Sequence, residues 1–192
     1  MVRCKAVGCN EQHATHLCKH CGNPDSTHKS SNCPVVQGAV AHRDWKGAGI
    51  VVAYFDGHQW VVVLGKEKGG RRKGFYCHGN GSREHRDKTP EATALREFVE
   101  EFGNTGHLIA AGCIKVSAVP VMIGKTPNFF GICDRPFVPS ATTEMDNFAV
   151  FSLDDLVKVA FMNPVARPHQ FATISHYTLD VIKELKIAGK LP

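Results

Sequence analysis

The chain has 192 residues, 43% of them apolar, and a net charge of +5, which suits one medium domain with a small appendage. No apolar run reaches membrane-spanning length and Met1-Val2-Arg3-Cys4 does not open a secretory signal, so the sequence predicts no membrane partner and a cytoplasmic or nuclear setting. The positive charge favours anionic partners without specifying their kind.

Five of the eight cysteines fall in the first 33 residues, interleaved with histidines, which is the pattern of metal ligation rather than of a disulfide framework. Residues 1–36 hold few large apolar side chains and cannot bury enough surface to fold without a staple. Cys4, Cys9, His13, His16, Cys18, Cys21, His28 and Cys33 supply ligands for two four-coordinate zinc ions. Sequential pairing groups the first four around one ion and the last four around the other. A crossed pairing joins Cys4 and Cys9 with Cys18 and Cys21, and Asp25 or His20 could replace a nominal ligand. Structural zinc contributes on the order of 10–16 kcal/mol, enough to fold a segment of this size.

Residues 37–192 form the second predicted domain, entered through a linker that runs to Lys46. Gly47–Phe55 and Trp60–Leu64 are rich in Val, Ile and aromatics and flank Asp56-Gly57, a hairpin signal. A strand is expected over Gly74–Cys77. Cys77, Cys113 and Cys133 sit in apolar contexts and read as free core thiols, which fits a reducing compartment. The next element is a helix with clear boundaries: Thr89 as N-cap, Pro90 at the first helical position and Gly103 at the end. Strands are expected in 108–122, 128–134 and 147–151. Ser152 caps a short helix with Asp154 and Asp155 in its first turn. A last helix over about 168–187 offers Phe171, Ile174, Ile182 and Leu185 to the core. The order of strands and helices gives an α/β class with a mixed sheet between helices.

The helix after Pro90 carries the chemistry. Glu97, Glu100 and Glu101 lie at i, i+3 and i+4 on one face, while Leu95, Phe98, Val99 and Phe102 occupy the core-facing side. Three acids on one turn repel each other unless a cation neutralises them. Magnesium takes oxygen ligands of this kind and keeps positions open for water and substrate phosphates.

Arg96-Glu97-Phe98-Val99-Glu100-Glu101-Phe102-Gly103 resembles the second half of the Nudix box, G-x5-E-x7-R-E-U-x-E-E-x-G-U, where U is bulky and aliphatic. The first half departs from it. Counting back from Arg96 puts Lys88 at the box glutamate and Ser82 at the box glycine, whereas a one-residue insertion brings Asp87 and Gly81 into those places. Asn104 stands where the closing bulky residue belongs. The resemblance covers most of residues 40–187 and implies an α/β/α sandwich with a mixed sheet, preceded here by the zinc-binding module.

The resemblance implies further that Glu97, Glu100 and Glu101 ligate Mg2+ or Mn2+ together with the Gly81 carbonyl, and that Arg96 holds the carboxylates in place. It implies a base for the attacking water among the helix glutamates or in a later loop, where Glu144 is the candidate and Asp146 the alternative. Lys88 in place of a bracing glutamate would repel Arg96, and Asp87 compensates if the loop is shifted. Lys66, Lys68, Arg71, Arg72 and Lys73, with Arg83, Arg86 and Lys88, form either solvated turns or a cationic rim for a multiply charged substrate. Pro120 lies near the offset at which ADP-ribose-cleaving members of the family carry a proline.

Three functions follow. The first is metal-dependent hydrolysis of a nucleoside diphosphate linked to another moiety, ADP-ribose-like compounds being slightly favoured. The second is hydrolysis of an RNA 5′ cap. Cys18-Lys-His-Cys21 with His28 and Cys33 is similar to a retroviral zinc knuckle with two extra residues, and it would contribute the RNA affinity. The third is an inactive domain that binds a ligand or protein, since residues 1–36 also loosely resemble cross-braced modules such as the B-box. Family members are often dimers, so a homodimer is admitted, although no segment shows a dimer face.

Overall fold

The structure is a computed structural model; it describes residues 45–192, together with two short strands, β1 (Val2–Arg3) and β2 (Gln12–His13). The chain divides into two compact units, Met1–Asp44 and Trp45–Pro192. In the first, β1 and β2 pair antiparallel, Val2 opposite His13. The expected zinc ligands Cys4, Cys9, His16, Cys18, Cys21, His28 and Cys33 lie outside the described residues, as does the His13 side chain.

The second unit is built on one sheet. Its long strands are β3 (Gly47–Phe55), β4 (Trp60–Glu67), β9 (Thr126–Cys133) and β10 (Met145–Ser152). Shorter ones are β5 (Tyr76–Cys77), β6 (Gly79–Ser82), β7 (Ile114–Val116) and β8 (Val121–Ile123). The spatial order is β10-β4-β3-β9-β7, with β5 added to β4, β6 to β3 and β8 to β9. The β3–β9 pair is parallel and the others are antiparallel, so the sheet is mixed.

Both faces of the sheet are covered, which explains why β3 is apolar almost throughout rather than alternating. Ala48, Ile50, Val52 and Tyr54 face Phe98 and Phe102 of helix α1 (Pro90–Phe102). Val51 and Ala53 point the other way, toward Leu153, Leu156, Leu179 and Ile182. Those four belong to α3 (Leu153–Phe161) and α4 (His176–Ile187). The result is the expected α/β/α sandwich.

Local chemistry sets the helix ends. The Thr89 hydroxyl accepts from the Ala92 N–H at 3.1 Å, and Pro90 occupies the first turn, where its missing N–H costs nothing. Ser152 caps α3 by accepting from Asp155 N at 3.3 Å.

Two expected elements are corrected. The strand expected over 108–122 begins instead as a short helix, α2 (Gly106–Ala110), and only Ile114–Val116 and Val121–Ile123 are extended. Gly112 at φ +69° closes that helix, and the Cys113 N–H donates back to the Leu108 carbonyl at 2.8 Å. The helix expected from 168 starts at His176, because Ser175 caps it by accepting from Thr178 N; a 3-10 turn, His169–Phe171, precedes it.

A buried polar network ties three elements together behind the site. His78 accepts at Nδ1 from the Thr178 hydroxyl (3.0 Å) and donates from Nε2 to Asn128 Oδ1 (3.2 Å), while Asn128 Nδ2 donates to the Thr126 carbonyl (2.9 Å). Burial pushes the imidazole down to about 4, which fixes it in the neutral form this network requires. The network sets where β6 starts, and β6 runs directly beside α1.

Candidate active site

Arg96 is the hub around which the loop 82–89 folds. Its guanidinium donates to the Ser82 carbonyl at 2.6 Å and lies 3.1 Å from Asp87 Oδ2. Asp87 is 4% exposed and fully engaged. It takes further hydrogen bonds from Arg96 Nε (3.3 Å), the Thr93 hydroxyl (3.0 Å) and the Glu84 N–H (2.9 Å). Burial raises its pKa, but the hydrogen bonds from Arg96, Glu84 N–H and Thr93 outweigh that and hold it down at about 2. Asp87 therefore braces the loop through Arg96, and Lys88 is exposed. Of the two residues that the spacing offers to Arg96, Asp87 is the one that meets it.

Gly81 lies beside the acids. A side chain at Gly81 would collide with the Glu97 carboxylate, so glycine here leaves that carboxylate room to lie against β6. Glu97 and Glu101 are buried, at 8% and 4% exposure, and Glu100 is exposed. Glu97 Oε1 lies 2.9 Å from Arg96 Nη2, and Glu100 Oε2 lies 2.5 Å from Arg96 Nη1. Burial raises the Glu97 pKa against the pull of Arg96. Glu101 accepts from the Asn80 N–H at 2.8 Å and forms no ion pair among the described residues. Burial pushes it up to about 9, opposed by the Asn80 N–H and reinforced by the charge of Glu97.

Among the described residues, no three acid, histidine or cysteine side chains stand ready-converged around one point, since Arg96 draws Glu97 and Glu100 toward itself. The donor set nevertheless suits a hard divalent cation. It offers carboxylate oxygens on one helix face, one of them buried without an ion pair among the described residues, beside a backbone that approaches within contact. Burying such a group is costly unless it is protonated or paired with a cation.

Glu67, Glu84, Glu97, Glu100, Glu101 and Glu144 all line one cavity of about 600 Å³, with Gly81, Arg72 and Arg96 in its wall. Glu144 reaches it from a loop fixed by Thr142, whose hydroxyl donates to the Glu101 carbonyl at 3.2 Å and accepts from Glu144 N at 3.2 Å. Asp146, the alternative to Glu144, pairs with Lys66 in the β10–β4 register and is not part of this lining.

The basic residues separate on folding. Arg83 stacks on Trp45 at 3.8 Å and Arg86 pairs with Glu84 (2.8 Å) and Glu100 (3.2 Å). Lys68 donates to the Thr142 carbonyl at 3.0 Å. Arg71 and Arg72 ride a 3-10 turn, Gly70–Arg72, from which Arg72 lines the cavity. Sequence reasoning missed Glu67 and read Gly79-Asn80-Gly81 only as flexible backbone able to approach phosphates: Glu67 and Asn80 both lie outside the box, and only strand pairing brings them to its helix. Pro120 falls between β7 and β8 and lines neither this cavity nor the basic one beside it.

No protein-family model matches the sequence, and no curated protein does. Solved structures with the same fold include a Nudix hydrolase and a NUDIX domain. RenU, a Nudix hydrolase from M. smegmatis, aligns over 77% of this chain and 88% of its own with a TM-score of 0.56 and 15% identity. The NUDIX domain of NrtR from Shewanella oneidensis, solved with ADP ribose, aligns over 78% of this chain and 91% of its own, with a TM-score of 0.51 and 13% identity. The fold of residues 45–192 is thus the Nudix fold.

Proposed function

We propose that this domain is a divalent-metal-dependent hydrolase that cleaves the pyrophosphate bond of a nucleoside diphosphate linked to another moiety. The observation that carries the reading is Glu101: a buried acid that forms no ion pair among the described residues, on the same helix face as Glu97 and Glu100, in a cavity lined in part by Gly69, Gly70 and Gly81.

Glu97, Glu100 and Glu101, with the Gly81 carbonyl, would hold Mg2+ or Mn2+. A divalent ion there supplies charge neutralisation to the diphosphate and acidifies the attacking water. The protein's own part is positional and acid–base. Arg96 and Asp87 lock the loop so that Gly81 meets the acids, Arg72 offers a fixed cation to phosphate oxygens, and Glu144 takes the proton from the water as it attacks phosphorus.

ADP-ribose-like compounds stay within the substrate class. The shared fold of an ADP ribose-bound domain supports them, and Pro120 contributes nothing to the site. The Cys- and His-rich segment 1–36 is proposed to bind structural zinc, which metal analysis of the purified chain would test.

The deciding experiment incubates the full chain with Mg2+ or Mn2+ and a panel containing ADP-ribose, dinucleoside polyphosphates and capped RNA. Product formation that requires the metal and is lost in Glu101→Gln supports hydrolysis. Turnover of capped RNA alone would favour cap removal. Intact substrates throughout, with the metal bound, would leave a binding module.

A further inference from the structure

The acidic cavity is bordered by a second one of opposite charge. A space of about 540 Å³ shares Arg72, Asn80, Gly81 and Ser82 with it and continues to Lys46, Arg71 and Tyr177. Six carboxylates line the first cavity; the second is lined by three cations and no carboxylate. Among the described residues Lys46 and Arg71 form no ion pair, unlike Arg86 and Arg96. Within the described residues no carboxylate neutralises either charge.

Arg72 stands at the partition between the two. Its Nη2 lies 2.5 Å from Glu67 Oε1, its Nη1 donates to Asn80 Oδ1 at 3.1 Å, and its guanidinium sits 6.0 Å from the centre of the Tyr177 ring. Asn80 in turn donates its N–H to Glu101. The partition is thus tied rigidly to the helix that carries the acids, and Tyr177 is held from behind by stacking on His78, with ring centres 5.6 Å apart.

An anionic ligand entering this bipartite space has one favourable orientation. Carboxylates repel every phosphate that lacks a bound cation, whereas Lys46, Arg71 and Arg72 attract it directly. We propose that the second cavity is a phosphate subsite, with Lys46 and Arg71 gripping phosphate beyond the scissile diphosphate. The preferred substrates then carry a polyphosphate chain rather than a single diphosphate bridge. This assignment rests on the hydrolase reading for its link to turnover, but binding at the subsite stands apart from it.

The test compares the full chain with Lys46→Ala/Arg71→Ala, using Lys73→Ala as a control that removes a charge outside the lining. Calorimetric titration of inorganic tripolyphosphate without added metal reads the subsite alone. Magnesium-dependent kinetics on diadenosine tetraphosphate and on ADP-ribose read its role. The double variant should weaken tripolyphosphate binding by at least about tenfold, the loss of one charge-assisted contact. It should also raise KM for diadenosine tetraphosphate by a similar factor at unchanged kcat and leave ADP-ribose unaffected. Tripolyphosphate binding equal to that of wild type, an equal loss in Lys73→Ala, or an equal rise in KM for both substrates would overturn the subsite. Absence of turnover on either substrate would count against the hydrolase, while the titration would still decide the subsite.

Discussion

Asp87 and Glu101 are both 4% exposed, belong to the same loop–helix unit, and are displaced in opposite directions, to about 2 and about 9. Burial raises the pKa of both, and it weighs more heavily on Glu101. The rest of what separates them is supply of donors: Asp87 meets Arg96, the Thr93 hydroxyl and an N–H, whereas Glu101 has one N–H and a neighbouring acid. The first is a finished structural ion pair. The second is an acid waiting for a cation, and the contrast locates function more sharply than either residue alone.

The largest effect should come from completing or spoiling the unfinished member. Glu101→Gln keeps the acceptor for Asn80 N–H but removes the charge. Loss even of groups that only orient metal ligands costs about 10–100-fold, so a ligand itself should cost more than about 100-fold in metal-dependent turnover. A turnover assay at saturating Mg2+ checks this, and near-normal activity would remove Glu101 from the metal site.

Stability without metal should change in the other direction. The folded-state pKa of Glu101 lies above its ordinary value, so its contribution is fully present below the ordinary carboxylate range and is lost as pH rises through about 9. Glu101→Gln escapes that loss and should make the metal-free protein more stable than wild type by on the order of 2–3 kcal/mol at pH 7. Added Mg2+ should stabilise only the wild type, by about 2.7 kcal/mol at a hundredfold excess over Kd, and should release a proton on binding. Denaturant melts with and without chelator measure both terms.

Asp87 reverses the sign. Its pKa is depressed, so its contribution is full above the ordinary carboxylate range and is lost as pH falls through about 2. Asp87→Ala should cost about 2–3 kcal/mol at neutral pH, as expected for lost hydrogen bonds to a charged partner. A parallel fall in activity should follow as the loop frees Gly81 from Glu97. Thermal melts at pH 7 test the first part.

How much of this was legible in the sequence depends on the range of the cause. Thr89, Pro90 and Gly103 act within one turn, so the limits of α1 were readable directly. The triplet of acids was readable from helical spacing. Leu108-Ile109-Ala110 is apolar without a diagnostic period, and a five-residue helix closed by Gly112 looks like a strand start until its turn geometry is seen. The burial of Glu97 and Glu101 was not readable, because it comes from β6 closing over α1, and that closure depends on the register of Gly79–Ser82 against Gly47–Ile50. Asn80 and Lys46 join the site through the same pairing, and Glu67 through the pairing of β4 with β10.

The smallest predicted effect discriminates most finely between the two possible loop registers. Spacing alone left Lys88 or Asp87 facing Arg96, and the structure gives the place to Asp87 with Lys88 in solvent. Lys88→Glu restores the box residue in its nominal position. If that position faced Arg96, the substitution would replace repulsion with an ion pair and raise both stability and activity. With Lys88 exposed and Asp87 already seated, it should shift stability by less than about 0.5 kcal/mol, as surface substitutions do, and leave kcat/KM unchanged within error. Combining it with Asp87→Ala completes the comparison. A glutamate one residue along cannot reach Thr93, Arg96 and Glu84 N–H together without moving the loop, so the double variant should stay as destabilised as Asp87→Ala alone. Full rescue would show that the loop tolerates either register and that Asp87 holds its place by side-chain chemistry rather than by backbone path.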